Sequence, residues 1–344
     1  MNTILIIRPS AIGDIVMASP IIRVLRKHYP DAHLAWLIEP SAMDLLRSNT
    51  NLDELIIWPK KEWKDLFKKH RLILLKREIT AFSRQMKQRQ FDLALDIQGL
   101  LRSRWLAWLS GARTRIGFDS KEPGRFLMTK IAPRGIHTGM MGSEYNYMMQ
   151  SLGLSPGDFH PEIILSSEDE NSALEIINGL QFGNKYTVFA PFTTRPQKHW
   201  IEDRWAELAK LIHETLGLPV IILGGKDDSE TSISIEKLSQ VPIFNFTGKT
   251  GIGQSAAIIK HASLLIGVDT GLTHMGAAFD CPTVALFGAT CPYLYTSGHK
   301  TFVIYNRMSC SPCRRSPVCK GDFTCMKSIE IKQVLIEAQK LLEA

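Results

Sequence analysis

Ala262-Ser-Leu-Leu-Ile-Gly267-Val-Asp269-Thr270-Gly271-Leu-Thr273-His274 is the stretch whose reading decides the fold. Residues 262–266 form a short apolar run of the kind that becomes a buried strand. A turn carrying Asp, Thr and Gly follows, then a small-residue helix through Met275-Gly-Ala-Ala-Phe, and after Asp280-Cys-Pro another strand, Thr283–Phe287. Strand, tight turn and helix start are how α/β proteins hold a phosphate. Gly271 lets backbone approach the ligand, and the free N–H groups of the helix N-terminus face the anion. The same letters also suit Asp269 or Thr270 as a plain helix cap, with His274 packed in the first turn. The surrounding chain has to choose.

Working outward, the strand–loop–helix unit recurs. Thr3–Ile7 reads as a buried strand, Pro9-Ser-Ala-Ile-Gly13-Asp14 as a turn, and residues 15–28 as a helix. Gly13 frees the backbone and Asp14 sits at the helix mouth, where the dipole favours an ionised carboxylate suited to a base; an N-cap is the plainer alternative. Strands are expected at His33–Ile38, Glu54–Ile57, 91–95 and 114–116, and after Gly/Pro-rich residues 151–161 at 186–190, 219–223, 242–246, 264–267 and Thr283–Phe287. Helices are expected between them, including Glu202–Leu216 and a closing amphipathic helix over 329–342. Strands alternating with helices imply parallel βαβ units, so the chain reads as α/β, with two doubly wound Rossmann-like domains at 1–155 and 156–344. The closing helix is placed to pack back on the N-terminal domain. In such sheets ligands bind at the carboxyl ends of the strands, and paired domains are expected to face across a cleft.

Composition agrees with a two-domain globular protein: 344 residues, 44% hydrophobic and 22% charged. No apolar run reaches a membrane span, and residues 2–7 are too short for a signal-peptide core, so the cytoplasm is the expected compartment. The net charge of +7 is uneven. Residues 60–134 hold 19 Lys and Arg against 7 Asp and Glu, a local +12 that leaves −5 elsewhere. A basic N-terminal half suits nucleic acid, an acidic membrane or a phosphorylated substrate; a solvated, lysine-rich surface is the plainer reading. Within it, residues 62–75 place Trp63, Leu66 and Phe67 at helical spacing among Lys60, Lys61, Lys64, Lys68, Lys69 and Arg71, as in a helix resting on a membrane. A packed helix with a cationic outer face fits as well.

Other motifs carry less. Gly248-Lys249-Thr250 imitates a Walker lysine, but the glycine needed five positions earlier is Ile243. Gly251-Ile-Gly253-Gln-Ser-Ala256 lacks the acidic residue about 20 positions on that a dinucleotide site requires, and reads better as a helix cap. Cys310, Cys313, Cys319 and Cys325 have the spacing C-x2-C-x5-C-x5-C. Four thiolates could hold zinc or an iron–sulfur cluster, but the spacing is not a regular zinc-ribbon form and Arg314-Arg315 reads as loop. Reduced thiols or occasional disulfides are favoured over a structural metal.

Arg8-Pro-Ser10-Ala-Ile-Gly13-Asp14, Thr193-Thr194 with Lys198, and Asp269-Thr-Gly-Leu-Thr-His274 together resemble glycosyltransferase family 9, the ADP-heptose:lipopolysaccharide heptosyltransferases. The resemblance spans nearly the whole chain. Asp96-Ile-Gln98-Gly99-Leu-Leu-Arg102-Ser and Gly117-Phe-Asp119 with Glu122-Pro123 look like heptosyltransferase I, whereas the four-cysteine loop looks like the heptosyltransferase II branch. The resemblance implies a GT-B fold and an inverting, metal-independent transfer of heptose from ADP-heptose to Kdo on lipid A. It implies no cofactor and no nucleic-acid partner, at the inner face of the inner membrane. Asp14 would be the general base. Thr193, Thr194 and Lys198 would hold the diphosphate, and Thr270, Gly271, Thr273 and His274 would line the phosphate site. Asp269 would reach the sugar and Asp227 the ribose. Arg8, Ser10, Gln98, Arg102, Arg115, Lys121 and Arg125 would face the acceptor. Arg8 stands where relatives often carry lysine.

Three readings of other classes remain open on sequence alone. One is a non-catalytic nucleotide-sugar or lipid-binding protein, which would need no base at Asp14; the second is a nicotinamide-dependent oxidoreductase, whose phosphate fingerprint is missing; the third is a metal or redox protein built on the cysteines. A glycosyltransferase using another sugar nucleotide also fits the motifs.

Overall fold

The structure, a computed structural model, describes residues 1–135, 138–181, 185–313 and 316–343. The chain divides into two compact units, Met1–Thr138 with Gly142–Phe159, and Gly139–Met141 with His160–Ala344. The first unit runs β1 (Thr3–Ile7), α1 (Ile12–Ala18), α2 (Pro20–His28), β2 (His33–Ile38), β3 (Glu54–Ile57), α3 (Lys60–Lys68), α4 (Leu72–Gln88), β4 (Leu93–Asp96), α5 (Leu101–Leu109), β5 (Thr114–Phe118), β6 (Lys130–Ala132) and α6 (Ser143–Ser151). Its six strands pair in parallel in the order β3-β2-β1-β4-β5-β6.

The second unit runs α7 (Ser167–Gly179), β7 (Thr187–Ala190), α8 (Glu202–Leu216), β8 (Val220–Ile222), α9 (Ser229–Ser239), β9 (Ile243–Asn245), α10 (Ile252–Lys260), β10 (Leu264–Val268), α11 (Gly271–Ala278), β11 (Thr283–Phe287), β12 (Thr301–Tyr305), α12 (Thr324–Lys327) and α13 (Ile331–Glu343). Its strands are again parallel, in the order β12-β11-β10-β7-β8-β9. Each sheet grows one way from its first strand through its third, then returns to the other side of the first. The two units therefore share one topology without a repeated sequence. The winding reverses between β1 and β4 in one and between β7 and β10 in the other, and a crevice at the carboxyl ends is built in at those points.

The strands are apolar because helices cover both faces of a parallel sheet. Ile4, Leu5, Ile6 and Ile7 of β1, and Leu264, Leu265 and Ile266 of β10, have no exposed surface. The closing helix α13 packs into the second unit's core through Val334 and Ala338.

Three sequence expectations change. The helix over 15–28 is two helices, because Pro20 cannot donate an N–H and starts α2 afresh. The helix over 62–75 is also two, turned at His70, whose φ is +54°. The edge strands β6 and β12 were not expected: β6 is only three residues long, and the apolar run Thr301–Tyr305 was passed over. In contrast, the loose glycine motif at 251–256 is a cap, with the Gly251 N–H donating to Gln254 Oε1 at 2.8 Å ahead of α10.

Gly267 in β10 has no room for a side chain. A Cβ there would collide with Thr273 Oγ1 and stand 3.0 Å from Ala190 Cβ. Gly267→Ala is expected to cost about 1–3 kcal/mol through overpacking, read as a lower urea midpoint with an unchanged slope.

Candidate functional site

At the reversal point of the first unit, the loop after β1 meets the loop after β4. Ile7 and Asp96 pair across the two strands, so residues 8–14 and 97–100 leave the sheet side by side. Arg8 is 6% exposed. Its Nη1 donates to the Ile97 carbonyl at 2.9 Å and its Nη2 forms an ion pair with Asp14 Oδ2. Its own carbonyl accepts from Trp36 Nε1 at 3.1 Å. Burial works against the Arg8 charge, but neighbouring Asp14 outweighs it and holds the guanidinium above its ordinary range. Asp14 lies in the first turn of α1, not at its cap, which is Ala11. Its side chain is 37% exposed, so one charged group is fixed by a buried partner yet open to solvent.

Gln98 braces the two loops, its Nε2 donating to the Ser10 carbonyl at 3.1 Å. Asp96 is fully buried, its Oδ1 accepting from the backbone N–H groups of Gln98 and Gly99 at 3.0 Å each. Burial pushes its pKa up, only partly offset by those bonds. Arg8 Nε, Asp96 Oδ2 and Gln98 Oε1 are buried with no hydrogen-bond partner among the described residues. Buried polar groups are nearly always paired, so this end of the sheet has unmet polar capacity.

The remaining basic residues read as acceptor contacts separate into two kinds. Arg102, Lys121 and Arg125 are exposed, Arg125 with Nη1 3.9 Å from Asp119. Arg115 instead spends its guanidinium on the carbonyls of Leu127 and Ala112, both at 2.7 Å. Arg104, which sequence reasoning passed over, is 1% exposed and clamps the turn after β5 through the carbonyls of Phe118, Glu122 and Pro123 and the Ser120 hydroxyl.

The second unit assembles a different chemistry at its reversal point. The turn after β7 carries Thr193, exposed Thr194 and Lys198, and His199 Nε2 donates to the Thr193 carbonyl at 2.7 Å. The turn after β10 carries Asp269. Lys198 Nζ lies 2.5 Å from Asp269 Oδ2, and His274 Nε2 lies 3.2 Å from Oδ1. Thr290 Oγ1 also donates to Oδ2. Because the carboxylate only accepts, Nε2 of His274 donates to it, while Nδ1 lies 2.9 Å from the Tyr293 hydroxyl. Burial alone would raise the Asp269 pKa; the His274 bond and charge, then Lys198, outweigh it and hold the carboxyl well below the usual carboxylate range. Asp269 is thus a fully engaged anion, and Thr290 and Tyr293 belong to its setting although no motif marked them.

Thr270 precedes α11 in an extended conformation and makes no side-chain cap, which leaves the first N–H groups of α11 at the same turn. Thr273 is buried, its hydroxyl donating back to the Val268 carbonyl at 2.6 Å, so it braces the turn. Asp227 is exposed in the turn after β8, where Asp228, not Asp227, accepts the Gly225 N–H.

Cys291 is near this cluster, but burial and the Asp269 charge push its thiol up to about 11, and burial pushes Cys281 up to about 12, so neither is a ready nucleophile. The four later cysteines are free thiols, from exposed Cys310 to buried Cys325. No group of three or more His, Cys, Asp or Glu is placed to hold a metal ion among the described residues, and Arg314 and Arg315 lie outside them.

The family model for glycosyltransferase family 9 (heptosyltransferase) matches residues 79–321. Lipopolysaccharide heptosyltransferase 1 of Salmonella typhimurium is 26% identical over 89% of this chain and 93% of its own. The crystal structure of a family 9 glycosyl transferase from Veillonella parvula superposes with a TM-score of 0.86, at 23% identity, covering 99% of this chain and 97% of that one. E. coli heptosyltransferase WaaC with ADP-2-deoxy-2-fluoro heptose superposes with a TM-score of 0.73 at 20% identity, over 98% and 99%. The two structures are likenesses of fold: the paired parallel sheets are those of GT-B heptosyltransferases.

Asp269→Asn would strand Lys198 beside a neutral amide, and losing one partner of a buried pair costs about 3 kcal/mol. Because the Asp269 pKa is depressed in the fold, the gap from wild type is full above the unfolded carboxylate value of about 3.9 and closes as pH falls below it. Urea midpoints of both proteins from neutral to acid pH check the sign.

Proposed function

The chain belongs to glycosyltransferase family 9, the heptosyltransferases, and from that premise we propose that it moves heptose from ADP-heptose to Kdo of the lipopolysaccharide inner core, with inversion. The observation that carries the reading is the division of chemistry between the two reversal points. One presents a carboxylate fixed by a buried arginine; the other presents a cation and a helix N-terminus. Transfer with inversion needs a base for the acceptor and charge stabilisation for the leaving group. The relatives named above support the donor and the pathway.

In this mechanism Asp14 takes the proton of the Kdo hydroxyl as its oxygen attacks the anomeric carbon. The bond from that carbon to the ADP oxygen breaks on the opposite face. Lys198 meets the charge appearing on the departing diphosphate, and Asp269, held by His274 and Thr290, keeps the ammonium aimed. Thr193, Thr194 and the backbone of Thr270 and Gly271 hold the phosphates, with Asp227 on the adenosine ribose. On the acceptor side, Arg102, Lys121 and Arg125 are the exposed cations for a phosphorylated sugar lipid. No step uses a metal or a cofactor. No helix among the described residues is long and apolar enough to cross a membrane, and we place the chain as a peripheral protein at the inner face of the inner membrane, where its acceptor would lie.

ADP release from ADP-heptose with Kdo2-lipid A tests this. Asp14→Ala should lower kcat by about 10²–10⁴ with a retained fold, and Lys198→Ala by about 10²–10³. Turnover indifferent to Asp14 would remove the base; turnover only with a different sugar nucleotide would remove the donor.

A further inference from the structure

The first unit exposes an apolar tip that its core does not use. Every residue of 67–74 is exposed, and within it Phe67 is 63%, Leu72 55% and Ile73 89% accessible. The sequence groups Phe67 with Trp63, but the structure parts them. Trp63 is buried, edge-on to Phe82 at 5.3 Å and to Trp105 at 5.9 Å, whereas Phe67 lies on the last turn of α3 beyond that contact. Lys60, counted among the surface lysines, is tied to Glu39 at 2.7 Å and lies over the Trp58 ring.

Cations ring the tip. Residues 64–77 contain six Lys and Arg against the single acid Asp65. Along α4, Ile73, Arg77, Thr80, Arg84 and Lys87 recur at spacings of four, three, four and three, one outward stripe, all exposed. At its far end Arg84, Lys87 and half-exposed Trp108 line a surface groove of about 530 Å³. A lone exposed Phe or Leu is ordinary, but adjacent large apolar residues at a helix–turn–helix tip within a one-sign basic stripe match an interfacial anchor. A second copy of this chain is a poor occupant, because a self-paired face would set these cations against each other.

The geometry points to an anionic bilayer surface as the partner of this face: Phe67, Leu72 and Ile73 enter the headgroup region and Arg77, Arg84 and Lys87 lie on lipid phosphates. The inference deepens the proposed function and rests on it for the choice of a membrane, since a lipid-anchored acceptor puts one within reach. It replaces the lysine run read from the sequence with an apolar tip as the anchoring element.

The test is co-sedimentation of the full chain with phosphatidylcholine vesicles, with and without phosphatidylglycerol. Wild type should bind only the anionic vesicles, and more weakly as salt rises. The variant Phe67→Ser, Leu72→Ser, Ile73→Ser should lose about tenfold or more in vesicle affinity. Its urea midpoint and its ADP release with a delipidated acceptor should stay unchanged, since none of the three is in the core or the site. Arg77→Gln with Arg84→Gln should flatten the salt dependence. Equal binding by wild type and the triple variant overturns the proposal, as does absence of binding to anionic vesicles. A change of oligomeric state in the triple variant without loss of vesicle binding would assign the tip to a second copy instead. Anionic-vesicle binding that the triple variant loses, in a wild type that releases no ADP, would leave the docking face standing and remove the transfer reading.

Discussion

Both units are governed by one constraint: an all-parallel sheet covered by helices on both faces leaves little place for polar side chains along its strands. The residues of β1 and β10 show how strictly it is met, since none exposes more than a trace beyond the first position of β1. Polar chemistry is therefore pushed to the turns at the carboxyl ends, and the reversal of winding decides which two turns share a crevice. Asp96 marks the boundary. It is the last residue of β4, fully buried, and even two backbone donors do not prevent its pKa from rising.

Beyond that boundary the two reversal points solve the problem of a half-buried charge in opposite ways. In the first unit the cation is buried and the anion is left open: Arg8 anchors to the Ile97 carbonyl and presents Asp14. In the second the anion is buried under three donors and the cation is held by it. An ammonium has three N–H donors, and Asp269 accounts for one, so Lys198 keeps hydrogen-bonding capacity while its position is fixed. Preorganised charge of this kind stabilises a developing phosphate anion without a reorganisation cost at the moment of reaction.

The paired α/β architecture was legible because buried parallel strands are short apolar runs that punctuate strongly at Gly, Pro and Asp. His33–Ile38, Glu54–Ile57 and Thr283–Phe287 were read with the bounds they have. Of the four edge strands β3 and β9 were read, whereas β6 is a run of only three residues and β12 was passed over although Thr301–Tyr305 is apolar. At the site, Lys198, Asp269 and His274 could be quoted from their spacing, and the fold brings them together. Their mutual pairing was not readable, because residues 71 positions apart meet only through the register of β7 against β10. Thr290 and Tyr293 were invisible for the same reason: they reach the cluster from the turn after β11, where hydroxyls carry no periodic signature.

Cations pose a harder limit than periodicity, because a sequence counts charge without showing whether it is already in use. Arg104 and Arg115 direct most of their guanidinium donors to backbone carbonyls at strand ends, work that fits the five-donor fork. Arg102, Lys121 and Arg125 are exposed and remain available for contact. Yet Arg104 makes no ion pair with an acid among the described residues, and its charge still lowers the cost of ionising Asp96. The long-range field of the first unit is therefore set by all of its cations, and local recognition by the exposed ones alone. A net balance read from the sequence measures the first quantity. Only the fold separates out the second, which is why the basic half of the chain could be noticed early and its individual arginines could not be assigned until their carbonyl partners were seen.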